Sequence, residues 1–298
     1  MYSFPIDYVE PVFRPPSEAK SLILPVTNGC SWNKCTFCEM YTQAQKKFRA
    51  RKPEDVLQDI RNAARSLGGV RRVFLADGDA MVLPTRRLLE ILGQLREAFP
   101  DLQRVSSYCL PRNLAKKTVE ELAQLKDAGL EILYVGMESG DDEILRRVNK
   151  GETWESTRSA LLKIREAGLT SSVMVLNGLG GENLSRQHAI NTATLCNETQ
   201  PDYLSTLVVS FPQGEERFRE GFGDDFVPLS QKGLFEEIRL FLEHLELDKT
   251  IFRSDHASNY LVLKGTLGRD KQKMLDQVNL AITNPGAAPL RAEWMRGL

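Results

Sequence analysis

The chain has 298 residues, 42% hydrophobic and 27% charged, with a formal net charge of −1. This reads as a soluble, globular chain able to bury one large core, for which an α/β barrel is an ordinary solution. Near-neutral charge gives no overall push toward nucleic acid or an acidic membrane surface, and no apolar run reaches the roughly 20 residues of a membrane span. Met1 to Glu10 shows neither the basic nor the apolar region of a signal peptide, so the expected compartment is the cytoplasm.

Short β-rich runs alternate with helical ones. A strand is expected over 22–26 and a helix over 54–67, with Pro53 placed to start it and Val56, Ile60, Ala63 and Leu67 on one face. A strand over 72–76 precedes a helix over 85–99 that aligns Leu88, Leu92, Leu95 and Phe99. A strand over 104–108 precedes a helix over 118–128 that stops at Gly129. Strands over 132–136, 171–176 and 203–210 are followed by helices over 154–167, 184–198 and 234–245.

These six βα units predict a parallel sheet. Right-handed crossovers would curl it into a barrel or partial barrel, with the active site at the C-terminal strand ends. Residues 1–20, with Pro5, Pro11, Pro15 and Pro16, form an extended N-terminal extension, and 21–215 form the core. Residues 216–298 form a C-terminal extension covering the barrel. It holds a short strand near 250–253, a helix over about 270–282 and a partly mobile tail over 284–298.

Cys30, Cys35 and Cys38 place three of the chain's five cysteines within nine residues, just after the first strand. Crowded thiolates suit a soft metal or an iron–sulfur cluster, and three ligands leave one position open. An odd cysteine count without a sign of secretion argues against disulfides. Neither Cys109 and Cys196 nor His188, His244 and His256 has zinc-finger spacing to the triplet.

Other strand ends carry polar groups. Asp77-Gly78-Asp79 forms an acidic turn suited to an ammonium group, although Asp-Gly-Asp also favours a plain turn. Cys109 reads as a small core thiol, with a hydrogen-donating or adduct-forming thiol as the alternative. Cys196 aligns with Ala189 and Ala193 and reads as core. The run over 253–260 contains His256 and Tyr260. It is read either as a substrate-facing wall, with His256 exchanging protons near neutral pH, or as a polar loop tying down the C-terminal segment. Arg49 and Arg51 read as surface charges, the alternative being contact with an anionic substrate.

With Phe37 directly before Cys38, the triplet resembles the C-x3-C-x2-C signature of the radical S-adenosylmethionine superfamily, here with four residues in the first gap. The stretch from Gly136 through Glu138, Ser139, Gly140 and Leu145 to Lys150-Gly151 resembles the G-x-E-S-G-x-x-x-x-L…K-G motif of its Elp3/MiaB/HemN-like branch. The resemblance spans roughly residues 20–215 and implies an α/β fold: a (βα)6 partial TIM barrel with the cluster loop after the first strand.

The resemblance implies a [4Fe–4S] cluster on Cys30, Cys35 and Cys38, with S-adenosylmethionine chelating the fourth iron. Phe37 would border the cofactor. Asp77, Gly78 and Asp79 stand where the family holds the methionine amine, and Ser107 and Arg112 where it reaches the ribose or carboxylate. Glu138 would contact the cofactor. Asn177 and Gly178 would let the adenine approach the backbone, and Pro212 would complete the pocket. Asp141 and Asp142 would begin the next helix, where negative charge is favoured.

The implied reaction is reductive cleavage of S-adenosylmethionine to a 5′-deoxyadenosyl radical acting on a small substrate, with Cys109, His256 and Tyr260 as candidate catalytic residues. A low-potential donor such as flavodoxin or ferredoxin would supply the electron. The rivals are an RNA-modifying enzyme, opposed by neutral charge and marked by salt-dependent RNA binding, and a non-catalytic iron–sulfur binding protein.

Overall fold

Pro25, Pro53 and Pro111 each mark a boundary in the computed structural model, which describes residues 5–296. The first four residues of the expected N-terminal extension and the last two of the tail lie outside the described residues. The chain runs through β1 (Leu22–Pro25), β2 (Thr27–Asn28), β3 (Arg49–Ala50), α1 (Pro53–Ser66), β4 (Arg72–Ala76), α2 (Thr85–Ala98) and β5 (Arg104–Cys109). It continues through α3 (Pro111–Leu114), α4 (Val119–Asp127), β6 (Leu130–Glu138), α5 (Asp142–Arg147), α6 (Trp154–Glu166), β7 (Thr170–Asn177) and α7 (Gly181–Thr199). Then follow β8 (Tyr203–Val208), α8 (Glu216–Phe222), α9 (Gln231–His244), β9 (Ile251–Ser254), β10 (Leu263–Thr266) and α10 (Leu267–Thr283).

The architecture is α/β, with a mostly parallel sheet of eight strands and a separate antiparallel ribbon of β2 and β3. No helix among the described residues is long and apolar enough to cross a membrane. The chain divides into two compact units. One holds the residues up to Asn33, Cys38–Val135 and Leu162–Ser171; the other holds Lys34–Phe37, Gly136–Leu161 and the residues from Ser172 onward.

In the first unit β1, β4, β5 and the start of β6 pair in parallel, with Leu24 beside Leu75 and Ser107 beside Leu133. Helix α1 has Pro53 in its first turn and buries Val56, Ile60 and Ala63; Leu67 lies just past its end. Helix α2 buries Leu88, Ile91, Leu92 and Leu95. Helix α4 opens with a capping box, in which Thr118 accepts from the Glu121 N–H and the Glu121 carboxylate accepts from the Thr118 N–H.

In the second unit β7, β8 and β9 pair in parallel, and β10 returns antiparallel to β9. Asp141 caps α5 by accepting from the Ile144 N–H at 3.0 Å. The core here is an aromatic cluster. Phe218 lies 4.6 Å from Phe226 and stacks at 5.2 Å on Phe222, beside Ile144, Val148, Leu176 and Leu179. Helix α8, which supplies two of these rings, has only seven residues, too few for a periodic signal in the sequence.

Strand β10 also differs from expectation. Its run, Leu263-Lys264-Gly265-Thr266, has no apolar stretch, and antiparallel pairing with β9 makes it a strand. The described part of the tail, 284–296, is tied to the run over 255–260 by hydrogen bonds. The Arg291 N–H donates to the Tyr260 carbonyl at 2.8 Å, and its guanidinium donates to the carbonyls of Asp255, His256 and Asn259.

Phe218 is 1% exposed at the centre of the aromatic cluster. Phe218→Ala is expected to cost about 3–5 kcal/mol of stability, read as a lower urea midpoint with an unchanged slope.

Candidate cofactor site

The cysteine loop leaves β2 and returns at β3, and hydrogen bonds close its base. Asn28 Nδ2 donates to the carbonyls of Gln45 and Lys47 at 2.8 and 3.0 Å, and the Gly78 N–H donates to the Gly29 carbonyl at 3.2 Å. Gly29 has φ +67°, and a Cβ there would lie 2.0 Å from the Lys46 carbonyl oxygen, so only glycine fits. Cys30 and Cys38 are half-buried and Cys35 is buried; no cysteine is in a disulfide. In the second unit the Cys35 thiol lies 3.9 Å from the Lys150 carbonyl, and the Thr36 N–H donates to the Val148 carbonyl at 3.0 Å. Gly221 of α8 allows close approach to this segment, because a Cβ there would come within 2.7 Å of the Thr36 side chain.

Past the end of β4, the Asp77 Oδ2 accepts from the Gly29 N–H at 3.1 Å and the Lys46 ammonium at 2.6 Å, while Oδ1 has no hydrogen-bond partner. Gly78 faces Tyr41, whose ring would lie 2.5 Å from a Cβ. Asp79 is fully buried. One oxygen accepts from the Ser31 hydroxyl, and Oδ1 has no partner. Burial raises the Asp79 carboxyl above its ordinary range, against the opposing pulls of Ser31, Asn113 and Arg112. The Tyr41 hydroxyl is also buried without a partner. Its pKa is pushed well up, first by burial and then by Asp77, Tyr108, Cys38 and Cys30.

Ser107 uses its hydroxyl within the sheet, donating to the Tyr108 carbonyl at 2.9 Å, with the Leu75 carbonyl at 3.3 Å. The buried Ser106 hydroxyl has no partner; as its neighbour on the strand, Ser106 faces the opposite side of the sheet. The Arg112 guanidinium lies 3.9 Å over the Trp32 ring, a cation–π contact within the first unit. Cys109 is 2% exposed, with its thiol 3.5 Å from the Leu110 carbonyl. Arg51 is not the surface charge expected from sequence: it pairs with Asp59 and donates to the Pro25 carbonyl at 3.1 Å.

In the second unit, Glu138 ends β6 with φ +62°, unusual for a residue with a side chain. Its Oε1 accepts from Lys150 Nζ at 3.0 Å, and its buried Oε2 has no partner. Lys150 also lies 5.7 Å from the Phe37 ring centre. A Cβ on Gly136 would fall 2.2 Å from Glu138 Oε1, and one on Gly140 would fall 2.5 Å from the Asn191 carbonyl, so close approach requires both glycines.

Buried Asn177 ends β7. Gly178 follows at φ +82° and donates its N–H to Glu237 Oε1 at 2.7 Å. Glu237 Oε2 accepts from the Ser185 hydroxyl at 2.6 Å. Burial raises the Glu237 pKa, against the pulls of His188, Ser185 and the Gly178 N–H. Pro212 is exposed in the turn closed by the Gly214 N–H on the Phe211 carbonyl.

His256 Nδ1 accepts the Ser258 N–H at 3.1 Å, which leaves the ring proton on Nε2 in the neutral tautomer. Burial lowers its pKa, helped by Arg291. The Ser258 hydroxyl accepts from the Val208 N–H at 3.2 Å, so this run meets the end of β8. Tyr260 carries the Arg296 guanidinium 3.7 Å over its ring. Among the residues of interest, Tyr41, Lys46 and Ser106 had no signal in the sequence. Lys150 stood within the matched motif without a role.

Thiolates are the donor type that iron–sulfur clusters take, and among the described residues no three Cys, His, Asp or Glu side chains are gathered closely enough to hold a single metal ion. Asp79 Oδ1 in the first unit and, separately, Glu138 Oε2 in the second are buried acceptors without a partner among the described residues, and each suits an ammonium or hydroxyl donor.

The family described as the Radical SAM superfamily matches residues 24–193. The ribosomal protein uS12 methylthiotransferase RimO of Clostridium botulinum (strain Hall) is 26% identical over 168 residues, covering 53% of this chain and 36% of that protein. The heme chaperone HemW of Bacillus subtilis is 24% identical over 169 residues, covering 53% of this chain and 45% of that one. The chain thus spans less than half the length of these curated relatives. Among solved structures, coproporphyrinogen III oxidase (HemN) from Escherichia coli aligns with TM-score 0.57 and 20% identity, covering 75% of this chain and 52% of that one. Methylornithine synthase (PylB) aligns with TM-score 0.52 and 18% identity, covering 76% and 63%. This likeness is one of fold, the α/β partial-barrel class.

Two outcomes follow from the buried acids. Lys150→Met strands Glu138 and is expected to cost about 3–5 kcal/mol by urea unfolding, with partial recovery when Glu138→Gln is added. Glu237 has a folded pKa above its ordinary 4.5, so its ionisation opposes folding. Its share of stability is complete below that value and is lost as pH rises through the folded pKa. The melting temperature of Glu237→Gln should therefore fall less than wild type as pH is raised from the ordinary glutamate value toward neutrality.

Proposed function

The chain belongs to the radical SAM superfamily, and from that premise we propose that it is a radical SAM enzyme acting on a small substrate, with its chemistry in the segment over 21–215. Cys30, Cys35 and Cys38 would hold three irons of a [4Fe–4S] cluster, with S-adenosylmethionine on the fourth. The observation that carries this reading is the buried Asp79 Oδ1 at the strand end next to the cysteine loop, left without a partner among the described residues; Glu138 Oε2, in its own unit, is likewise unpartnered. The chemistry supplied when both cofactors are bound is one-electron cleavage of the sulfonium, giving a 5′-deoxyadenosyl radical.

The chain's own residues bind, orient and shield. Gly78 and Asp79 accept the methionine ammonium, and Asp77 adds its remaining oxygen at the same turn. Arg112, held on Trp32, would present cationic donors to the carboxylate, and Ser107, whose hydroxyl proton is taken by the sheet, would meet the ribose as an acceptor. Glu138, fixed by Lys150, offers one oxygen to hydroxyl donors. Asn177 and Gly178 would give the adenine close access to backbone, Phe37 would shield it from water, and Pro212, exposed in its turn, would border the pocket. Cys109, His256 and Tyr260 are the candidate groups toward the substrate. His256, whose pKa is lowered by burial, would offer its Nε2–H as a hydrogen-bond donor while neutral. A low-potential donor of the flavodoxin or ferredoxin type would supply the electron, in the cytoplasm.

The test is anaerobic reconstitution with iron and sulfide, reduction, and addition of S-adenosylmethionine. Cofactor-dependent 5′-deoxyadenosine is expected, falling to background in Cys30→Ala and Cys35→Ala. A filled cluster whose EPR spectrum is unmoved by S-adenosylmethionine, with no 5′-deoxyadenosine formed, would overturn the proposal.

A further inference from the structure

Lys46 is 1% exposed, and it is a cation. Its ammonium meets the carboxylate of Asp77, 2% exposed, at 2.6 Å. Burying two charges is costly, so such a pair calls for a reason beyond stability. The position of the pair supplies one. Lys46 sits eight residues after Cys38, where the loop returns, and the same Asp77 oxygen takes the N–H of Gly29, directly before Cys30. The Asp77 N–H donates in turn to Thr27 Oγ1 at 3.2 Å. One carboxylate, anchored at the end of β4, thus holds both the entry and the exit of the cysteine loop.

We propose that Lys46 and Asp77 are positioning residues that hold the two ends of the cysteine loop together and so set the placement of Cys30 and Cys38 for iron. The hydrogen-bond pattern distinguishes this role from a mere charge pair. Asp77→Asn keeps an acceptor for Gly29 but strands the Lys46 charge. Lys46→Met cuts the loop exit's tie to Asp77, keeping the Asn28 bonds to Gln45 and Lys47, and leaves Asp77 without its counter-charge. The double variant Lys46→Met/Asp77→Leu removes both charges, a change buried pairs often tolerate, but it also removes the acceptor that fixes Gly29.

This proposal rests on the cluster reading above. The test uses the full chain, reconstituted anaerobically with ferrous iron and sulfide and then desalted. Bound iron is counted, the EPR spectrum of the reduced sample is recorded, and the melting of each cluster-free protein is followed. The single variants should retain about a third or less of wild-type iron, as expected when ligand placement is lost. Where a single variant fails to melt cooperatively, the double variant decides: it should melt cooperatively yet retain little iron or show altered g-values. Wild-type iron content and EPR spectrum in any folded variant would overturn the proposal. Failure of the double variant to fold would also overturn it, making the pair a need of the fold rather than of the loop. A wild-type protein that holds no iron would sink the cluster reading itself, an outcome visible before any variant is compared.

Discussion

A carboxylate removed from water must be met by donors or it will neutralise, and much of this structure is arranged around that demand. Asp77, Asp79 and Glu138 are buried at or near strand ends, and Glu237 is buried on α9 with its carboxylate on the turn after β7. Asp77 and Glu138 are met by lysines, Asp79 by a serine hydroxyl, and Glu237 by a backbone N–H and a serine hydroxyl. These partners come from the cysteine loop, from the lysine of the matched motif, from the turn after β7 and from α7. The loops are shaped by where the acids sit, and three of the acids are sited by strands and Glu237 by a helix.

Glycine is the complement of this arrangement. Gly136 makes room for the Glu138–Lys150 pair, Gly29 lets the loop exit pass its entry, and Gly221 lets α8 rest on Thr36. In each case the missing side chain permits a contact that organises a neighbour.

The strands and most helices of the six βα units were legible because their apolar periodicity is strong, as in Val56, Ile60 and Ala63 or Leu88, Leu92 and Leu95. The family was legible because cysteine spacing and a glycine-glutamate-serine-glycine run are rare combinations. Strand β10 and helix α8 were not, since pairing and aromatic packing create them rather than local propensity. The Lys46–Asp77 contact was also invisible. It joins residues 31 apart, and a lysine in a polar stretch ordinarily reads as solvated. Asp77 was read as a cofactor contact from its place in a motif; no pattern in one sequence could show that it also binds the loop.

The tail raises a separate matter of adaptability. Arg291 grips the run from Asp255 to Asn259 through main-chain carbonyls alone. Its hold is therefore indifferent to the side chains that Asp255 and His256 carry. His256 also holds the Ser258 N–H, so it is Asp255, whose carboxylate reaches the exposed Lys264, that can drift without loosening the backbone, leaving a spot near the end of β8 that descendants of this chain could rewrite by a single substitution.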